Sequence, residues 1–184
     1  MKRKPFAILA AVLGLFLVVY FASPLVAVQG LISAAKAGDQ AALERKVNFP
    51  ALRQSMKDEM NARLAAEMRK DLGDKDNALS GLGLLLAPSL ISGAVDALVT
   101  PQAVAAMVTE AREPRAADAV APAGPRGQGA DDKVKRSYSY RGLNTFAVTL
   151  TQADKPDERL SLLMQRNNLF FWKLAGVDLV DPEA

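Results

Sequence analysis

The chain begins with a hydrophobic run, Pro5 to Ala22, that no charged residue interrupts. About 18 residues at a helical rise of 1.5 Å give roughly 27 Å, close to the thickness of a bilayer's hydrocarbon core. The tripeptide Lys2-Arg3-Lys4 precedes the run, and the next cation is Lys36. Because flanking cations favour the cytoplasmic side, residues 1–24 are predicted to form a cytoplasmic tip and a single-pass plasma-membrane anchor. The remainder is predicted to be extracytoplasmic, in the periplasm.

A cleaved signal peptide is the main alternative to an anchor, and a buried helix of a soluble core is a further one. Signal peptides have a shorter hydrophobic core of about 7–15 residues and small residues before the cleavage site. The exit from the run reads Tyr20-Phe21-Ala22-Ser23-Pro24, so cleavage before Ser23 would require the large Tyr20 where a small residue is needed. Lipoprotein processing needs a cysteine, and the sequence has none. We therefore predict that residues 5–22 remain in the lipid bilayer.

Cap residues divide the next part of the sequence, residues 25–112, into helices. A helix that can continue the anchor beyond Pro24 should end before Gly38-Asp39, a C-cap followed by an N-cap. A short helix is predicted over residues 40–47. Thr100-Pro101 is a second N-cap with proline in the first turn, and it predicts a helix over residues 102–112.

A long helix is predicted from about Ala51 to Leu72. Pro50 suits its first position and should leave Phe49 extended. Apolar side chains recur there every four residues, at Leu52, Met56, Met60, Leu64, Met68 and Leu72. Core packing is the simplest interpretation of this stripe, and an adaptable binding groove lined by methionine is the alternative.

Residues 78–95 are uncharged and long enough for a second membrane span. Several glycines, several serines and Pro88 disfavour a straight helix facing lipid, and Asp96 follows without a basic flank. We predict a buried helix kinked at Pro88, with a second span as the alternative.

Residues 113–133 are dominated by alanine, proline, glycine and charge. They offer too little apolar surface to offset the entropy of ordering, so a mobile loop is predicted. A spacer is the simplest role for this loop, and regulation or partner docking is the alternative.

Residues 134–184 change to an alternation of apolar and polar positions, which is typical of half-buried strands. Four strands are predicted, centred on Tyr138–Tyr140, Phe146–Leu150, Leu160–Met164 and Phe170–Leu174. Turns are predicted at Gly142–Asn144, Asp154–Asp157 and Asn167–Asn168. Gly176 should bulge the last strand and reverse its parity at Val177. The predicted fold class is α+β, in which an N-terminal transmembrane helix precedes several helices packed on one face of an antiparallel sheet of about four strands.

Composition removes several classes of function. Lys and Arg total 23 and Asp and Glu total 20, so without the three N-terminal cations the exported part is neutral. Nucleic-acid binding needs a positive excess and is not predicted. The absence of cysteine and histidine removes disulfides, thiolate nucleophiles, Ser-His-Asp triads and the usual zinc ligands. We predict no metal site and no cofactor.

An enzyme of this composition would have to use a carboxylate, lysine or tyrosine with a shifted pKa. Asp96, Asp178, Tyr138 and Tyr140 are the groups to inspect for such chemistry. Each also has an ordinary interpretation as a capping, solvent-facing or packing residue. We therefore predict no catalytic residue and expect that the protein is not an enzyme.

Five short stretches occur in a set order along the chain: Tyr20–Pro24, Ala37–Asp39, Phe49–Arg53, Thr100–Pro101 and Trp172–Leu174. Together and in this order they resemble a bacterial family known as domain of unknown function 2939. The resemblance spans about residues 18–180 and implies a membrane-anchored envelope protein without supplying a site residue. More loosely, helices followed by a curved sheet that ends in Trp-Lys-Leu are similar to nuclear transport factor 2-like and cystatin-like domains.

Three functional hypotheses remain from the sequence. The first is a binding or interaction module of the cell envelope, anchored in the bilayer through residues 5–22, whose cavity or helical face meets an envelope protein, a lipid or a small apolar ligand. The second is an enzyme with a buried Asp/Tyr pair. The third is a structural assembly component that docks through Leu79 to Leu86. We favour the first.

Overall fold

The computed structural model describes residues 3–71, 89–121, 124, 134–153 and 155–180. Its helices are α1 (Arg3–Ala37), α2 (Gln40–Lys46), α3 (Phe49–Asp71), α4 (described over Ser89–Leu98), α5 (Pro101–Glu110) and α6 (Ala116–Ala119). Its strands are β1 (Val134–Gly142), β2 (Thr145–Gln152), β3 (Lys155–Arg166) and β4 (Trp172–Val180). The strands form one antiparallel sheet in the order β1-β2-β3-β4, so the predicted α+β class is confirmed.

Helix α1 continues without a break through Pro24, as predicted. A proline inside a helix removes the hydrogen bond to the carbonyl four residues earlier, which here belongs to Tyr20. The Ser23 hydroxyl donates to that carbonyl at 2.8 Å and replaces the missing donor. One helix therefore links the N-terminal apolar segment to the folded domain.

The predicted caps lie where the sequence indicated. Gly38 has a φ of +64°, in the left-handed region that favours glycine, and the Asp39 carboxylate accepts from the Ala42 amide at 2.9 Å. The Thr100 hydroxyl accepts from the Ala103 amide at 3.2 Å.

The start of α3 corrects one prediction. Phe49 is helical and not extended, because Asn48 is the capping residue. The Asn48 carbonyl accepts from the Leu52 amide at 2.9 Å, and the Asn48 side chain accepts from the Ala51 amide at 3.4 Å. Pro50 therefore occupies the second helical position.

The core lies between the helices and one face of the sheet. Its fully buried members include Leu31 of α1, Leu43 of α2, Leu52 of α3, Met107 of α5, Leu150 of β2, Met164 of β3 and Leu174 of β4. Burial of one such side chain stabilises the fold by about 1.5–3 kcal/mol. In the long α3 stripe, Leu52 and Met56 are buried in the core, and the partly buried Met60 packs against that core. These contacts support core packing over a methionine groove.

The outer edge of β4 is covered by the start of α3 and the residues before it. The Asn48 amide donates to the Leu174 carbonyl at 2.7 Å. The Ser55 hydroxyl accepts from the Val177 amide at 3.0 Å and donates to the Val177 carbonyl at 3.1 Å. The strand carries the predicted bulge, since Leu163 pairs with Gly176 while Met164 pairs with Leu174.

Helix α4 corrects a second prediction. Residues 78–88, which include Pro88 and the whole of the Leu79–Leu86 docking candidate, lie outside the described residues. From Ser89 onward the chain is helical, as predicted, but it is mostly exposed rather than buried, with only Val95 fully enclosed. Helices α4 and α5 meet at 83°, and α5 is buried from Ala103 to Thr109.

The predicted mobile loop is ordered over its first part, which contains α6. Arg112 donates to both carboxylate oxygens of Asp118, at 2.7 and 2.9 Å, and the Arg115 amide donates to the same carboxylate at 2.8 Å. Charge-assisted hydrogen bonds of this kind offset the entropy of ordering. Residues 122, 123 and 125–133 lie outside the described part of the chain.

Two of the predicted turns also differ. The link between β3 and β4 is a five-residue loop, Asn167 to Phe171, and not a two-residue turn. It is closed by the Asn167 amide, which donates to the Phe171 carbonyl at 2.8 Å. Phe170 and Phe171 therefore precede the strand instead of belonging to it. The turn predicted over residues 154–157 is shorter, since β3 already pairs Lys155 with Gln152.

Candidate binding cleft beside the apolar helix

A cleft of about 700 Å³ opens between α1, the end of α2 and the start of β4. It is lined by Val18, Val19, Ala22, Ser23, Val26 and Ala27 of α1, by Arg45 and Lys46 of α2, and by Phe170, Phe171, Trp172 and Lys173. The α1 residues recur at intervals of three or four and therefore share one helical face. Its volume falls in the range of small-molecule sites, about 300–1,000 Å³.

The cleft combines an apolar wall with cations. Arg45, Lys46 and Lys173 contribute positive charge, and the described residues that line the cleft include no carboxylate. Within the described ranges, none of these three cations is paired with an acidic side chain. Lys46 lies close against α1 at Gly30, where a side-chain carbon would come within 2.6 Å of the Lys46 Nζ. The arrangement suits a ligand with an apolar body and an acidic group.

A buried hydrogen-bond chain holds β4 against α1 beside the cleft. The Trp172 Nε1 donates to the Ser23 hydroxyl at 2.9 Å, and that hydroxyl donates to the Tyr20 carbonyl at 2.8 Å. Both Trp172 and Ser23 are buried. The indole ring is thereby fixed in the wall of the cleft.

Arg166 holds the two turns at this end of the sheet. Its guanidinium lies 3.9 Å from the centre of the Tyr20 ring and 4.2 Å from that of Trp172, which is cation–π geometry on both sides. The same group donates to the Leu143 carbonyl at 3.1 and 3.2 Å and to the Leu169 carbonyl. The turn between β1 and β2 and the loop between β3 and β4 are therefore joined.

The carboxylates singled out from the sequence lie elsewhere. Asp96 accepts from Lys57 at 2.8 Å and is half-exposed. Asp178 of β4 is paired with Arg141 of β1, although two strands lie between them in the sheet. Neither carboxylate lines the cleft.

The two candidate tyrosines are also outside the cleft and have packing partners. The ring of Tyr138 stacks on Phe146, with 6.3 Å between ring centres. The Tyr140 hydroxyl donates to the Phe21 carbonyl at 2.7 Å. Burial raises the pKa of Tyr140, and the nearby Arg166 guanidinium opposes that rise. The structure therefore does not bring the four candidate groups together at this site.

Sequence reasoning missed the cations of the cleft and the role of Arg166. Lys173 is separated by more than a hundred positions from the α2 cations, and nothing in the local pattern links them. Within the described residues, no group of three or more acidic side chains is arranged to hold a metal ion.

A family model matches residues 13–107, just over half of the chain, and its description is "Protein of unknown function (DUF2939)". The chain belongs to this family. The family resemblance stated from the sequence is thereby confirmed over residues 13–107. The region matched to DUF2939 includes the α1 wall of the cleft together with Arg45 and Lys46.

Neither the curated proteins nor the solved structures contain a match to this chain. The looser likeness to nuclear transport factor 2-like and cystatin-like domains is therefore not confirmed. DUF2939 carries no assigned activity in its description, so the functional argument depends on the geometry of the cleft.

Proposed function

We propose that this DUF2939 protein is a single-pass plasma-membrane protein whose extracytoplasmic domain binds a phospholipid with an acidic headgroup in the cleft beside α1. In this proposal it acts as a binding module of the cell envelope and not as an enzyme. The observation that carries the proposal is the cleft itself, in which an apolar helical face is bordered by Arg45, Lys46 and Lys173.

The properties of α1 support membrane anchoring. From Ile8 onward α1 is long and apolar enough to span a membrane, and its large side chains from Ile8 to Val19 are mostly exposed. A bilayer would cover that surface. Phe16, Tyr20 and Phe21 also contact aromatic side chains of the C-terminal part. Cleavage of a signal peptide after Ala22 would remove these contacts, which favours retention of the segment.

The height of the cleft supports a lipid ligand. Its α1 wall extends from Val18 to Ala27, about 14 Å at 1.5 Å per residue. The lower half of this wall, residues 18–22, belongs to the predicted span, residues 5–22. The upper half, residues 23–27, lies beyond the span on the predicted extracytoplasmic side. An acyl chain would lie along the lower half while the headgroup meets the cations. A basic residue near an anionic membrane surface contributes about 1 kcal/mol of attraction.

Photocrosslinking tests this proposal. The full chain is reconstituted in nanodiscs that contain phosphatidylglycerol or phosphatidylcholine with a photoactivatable acyl chain, and crosslinked peptides are mapped by mass spectrometry. We expect phosphatidylglycerol to label residues 18–27 and 170–173 several-fold more than phosphatidylcholine does. The double variant Arg45→Gln/Lys173→Gln should lose most of this preference, since the headgroup loses two of its three cationic partners.

The matched control is Lys135→Gln/Arg159→Gln, which removes the same two residue types. Both residues are exposed. Each lies next to Thr151 on a neighbouring strand, at the end of the sheet opposite the cleft. This control should keep the preference for phosphatidylglycerol. Equal labelling by both lipids, or equal losses in the two double variants, would overturn the proposal.

A further inference from the structure

One end of the sheet carries a group of exposed apolar side chains. Leu143 lies in the turn between β1 and β2, and Leu169, Phe170 and Phe171 lie in the loop between β3 and β4. We call these four residues the loop patch. Their side chains are between 37% and 72% exposed, which is unusual for adjacent residues of this size. Arg166 joins the two segments through hydrogen bonds to the carbonyls of Leu143 and Leu169.

The loop patch lies beside the apolar part of α1. The ring of Phe170 is 5.7 Å from that of Phe16 and 6.5 Å from that of Tyr20, measured between ring centres. Phe16 precedes Ala22, the end of the predicted span, by six positions, or about 9 Å along a helix. Side chains that contact Phe16 from outside the helix therefore lie below the level at which α1 would leave the bilayer.

From this geometry we infer that the loop patch inserts into the outer leaflet and forms a second membrane contact next to α1. The inference rests on the anchoring part of the proposed function, and it does not require a lipid in the cleft. The occupant is the lipid surface because the patch is continuous with the exposed apolar face of α1, which the proposed anchor places in the bilayer. Aromatic side chains are enriched at this depth in membrane proteins.

Several backbone polar groups of the two loop segments are paired within the protein, which suits a medium with few hydrogen-bond partners. The Asn167 amide donates to the Phe171 carbonyl, and the Phe171 amide donates to the Asn168 carbonyl. Arg166 satisfies the carbonyls of Leu143 and Leu169. Because an unpaired backbone group is costly where water is absent, this pairing lowers the cost of bringing the loop to the membrane.

The absence of cysteine from the sequence makes single-site labelling direct. Full-length variants Leu169→Cys and Phe171→Cys are labelled with an environment-sensitive nitrobenzoxadiazole dye and reconstituted in protein-free phospholipid vesicles. Vesicles are prepared with and without lipids that carry a spin-label quencher high in the acyl chain. We expect a blue-shifted emission and quenching several-fold stronger than at Val120→Cys.

Val120 is the matched aqueous control, because it is 84% exposed and directly follows α6. The helix before α6, α5, meets the sheet at the end opposite the loop patch, where Gln152 donates to the Glu110 carbonyl. Leu13→Cys, in the exposed part of α1, is the control for the bilayer. Quenching at Leu13 together with Val120-like emission at both loop positions would overturn the inserted loop and leave the anchor intact. Absence of quenching at Leu13 would overturn the anchor and the inserted loop together. A protein partner cannot account for quenching in vesicles that contain no other protein.

Discussion

The Trp172 indole donates a 2.9 Å hydrogen bond to the Ser23 hydroxyl, and this contact joins the last strand to the first helix across 149 positions of sequence. Ser23 also donates to the Tyr20 carbonyl, which Pro24 deprives of its usual helical donor. The place where proline interrupts the hydrogen-bond pattern of α1 is therefore the place where the sheet docks. Tyr140 reinforces the same region through its bond to the Phe21 carbonyl.

Replacement of Ser23 by alanine should destabilise the protein. It would leave the Trp172 N–H and the Tyr20 carbonyl without partners in a buried site, at a cost of about 1–3 kcal/mol. The unfolding of the full chain in detergent can be followed through Trp172, the only tryptophan of the sequence. Ser23→Thr retains the hydroxyl and should lose much less. Equal losses in the two variants would show that the hydroxyl is not the cause.

Gly38→Ala should also be destabilising, whereas Gly93→Ala should not. Gly38 has a φ of +64°, and an added Cβ would lie 2.0 Å from the Gly124 carbonyl oxygen. The left-handed conformation alone costs a residue with a side chain about 1–2 kcal/mol, and the contact adds to that cost. Gly93 lies in α4 with nothing within 4 Å, so alanine there should stabilise by about 0.5–1 kcal/mol. Chemical unfolding midpoints of both variants test this difference, and a shift of the same sign would contradict it.

Loss of the Asp118 carboxylate should unfold the segment around α6. The Arg112 side chain is 16% exposed and that of Asp118 is 9% exposed, so Asp118→Asn leaves a largely buried cation with the Glu110 carboxylate, 2.7 Å away, as its remaining acidic partner in the described residues. The expected cost is about 2–4 kcal/mol, with loss of amide hydrogen-exchange protection over residues 115–121. Glu113→Gln removes half of an exposed pair with Arg63 and should cost less than about 1 kcal/mol. Protection retained over this segment in Asp118→Asn would show that the Asp118 carboxylate does not hold the segment in place.

Alkaline pH should weaken the docking of the sheet on α1. Burial raises the pKa of Tyr140 above its usual value of about 10, so folding favours the protonated phenol that donates to the Phe21 carbonyl. This contribution to stability is complete below about pH 10 and is lost as pH rises through the raised pKa. Tyr140→Phe should be less stable at neutral pH and should lose less stability between about pH 8 and pH 11. Parallel pH profiles for the two proteins would rule out Tyr140 as the titrating group.

The elements that sequence reasoning predicted correctly depend on signals within a few residues. Gly38, Asp39 and Thr100 act on the backbone next to them, and the alternation in the C-terminal part reflects one buried sheet face. The loop from Asn167 to Phe171 does not depend on local signals alone, because Phe170 packs on Phe16 and Arg166 binds the neighbouring turn. Its five-residue length was therefore missed.

The cleft was not predictable for a different reason. In a run as apolar as α1, the face that lines the cleft has the same residue types as the faces that lipid would cover. Arg45 and Lys173 belong to separate elements, and only the docking of β4 on α1 brings them to one site. Asp118 lies within the predicted mobile loop, and its partner Arg112 belongs to the helix predicted before that loop, so the sequence pattern did not link them.

With α1 anchored as proposed, its unbroken course would limit where the domain can act. Leu31 and Ala35, near its C-terminal end, belong to the core, and Ser23 in its middle is bonded to the sheet. An anchored domain built in this way has no tether on which to swing outward. It would search in two dimensions, at a constant height, and would meet molecules that share its membrane or approach that membrane closely.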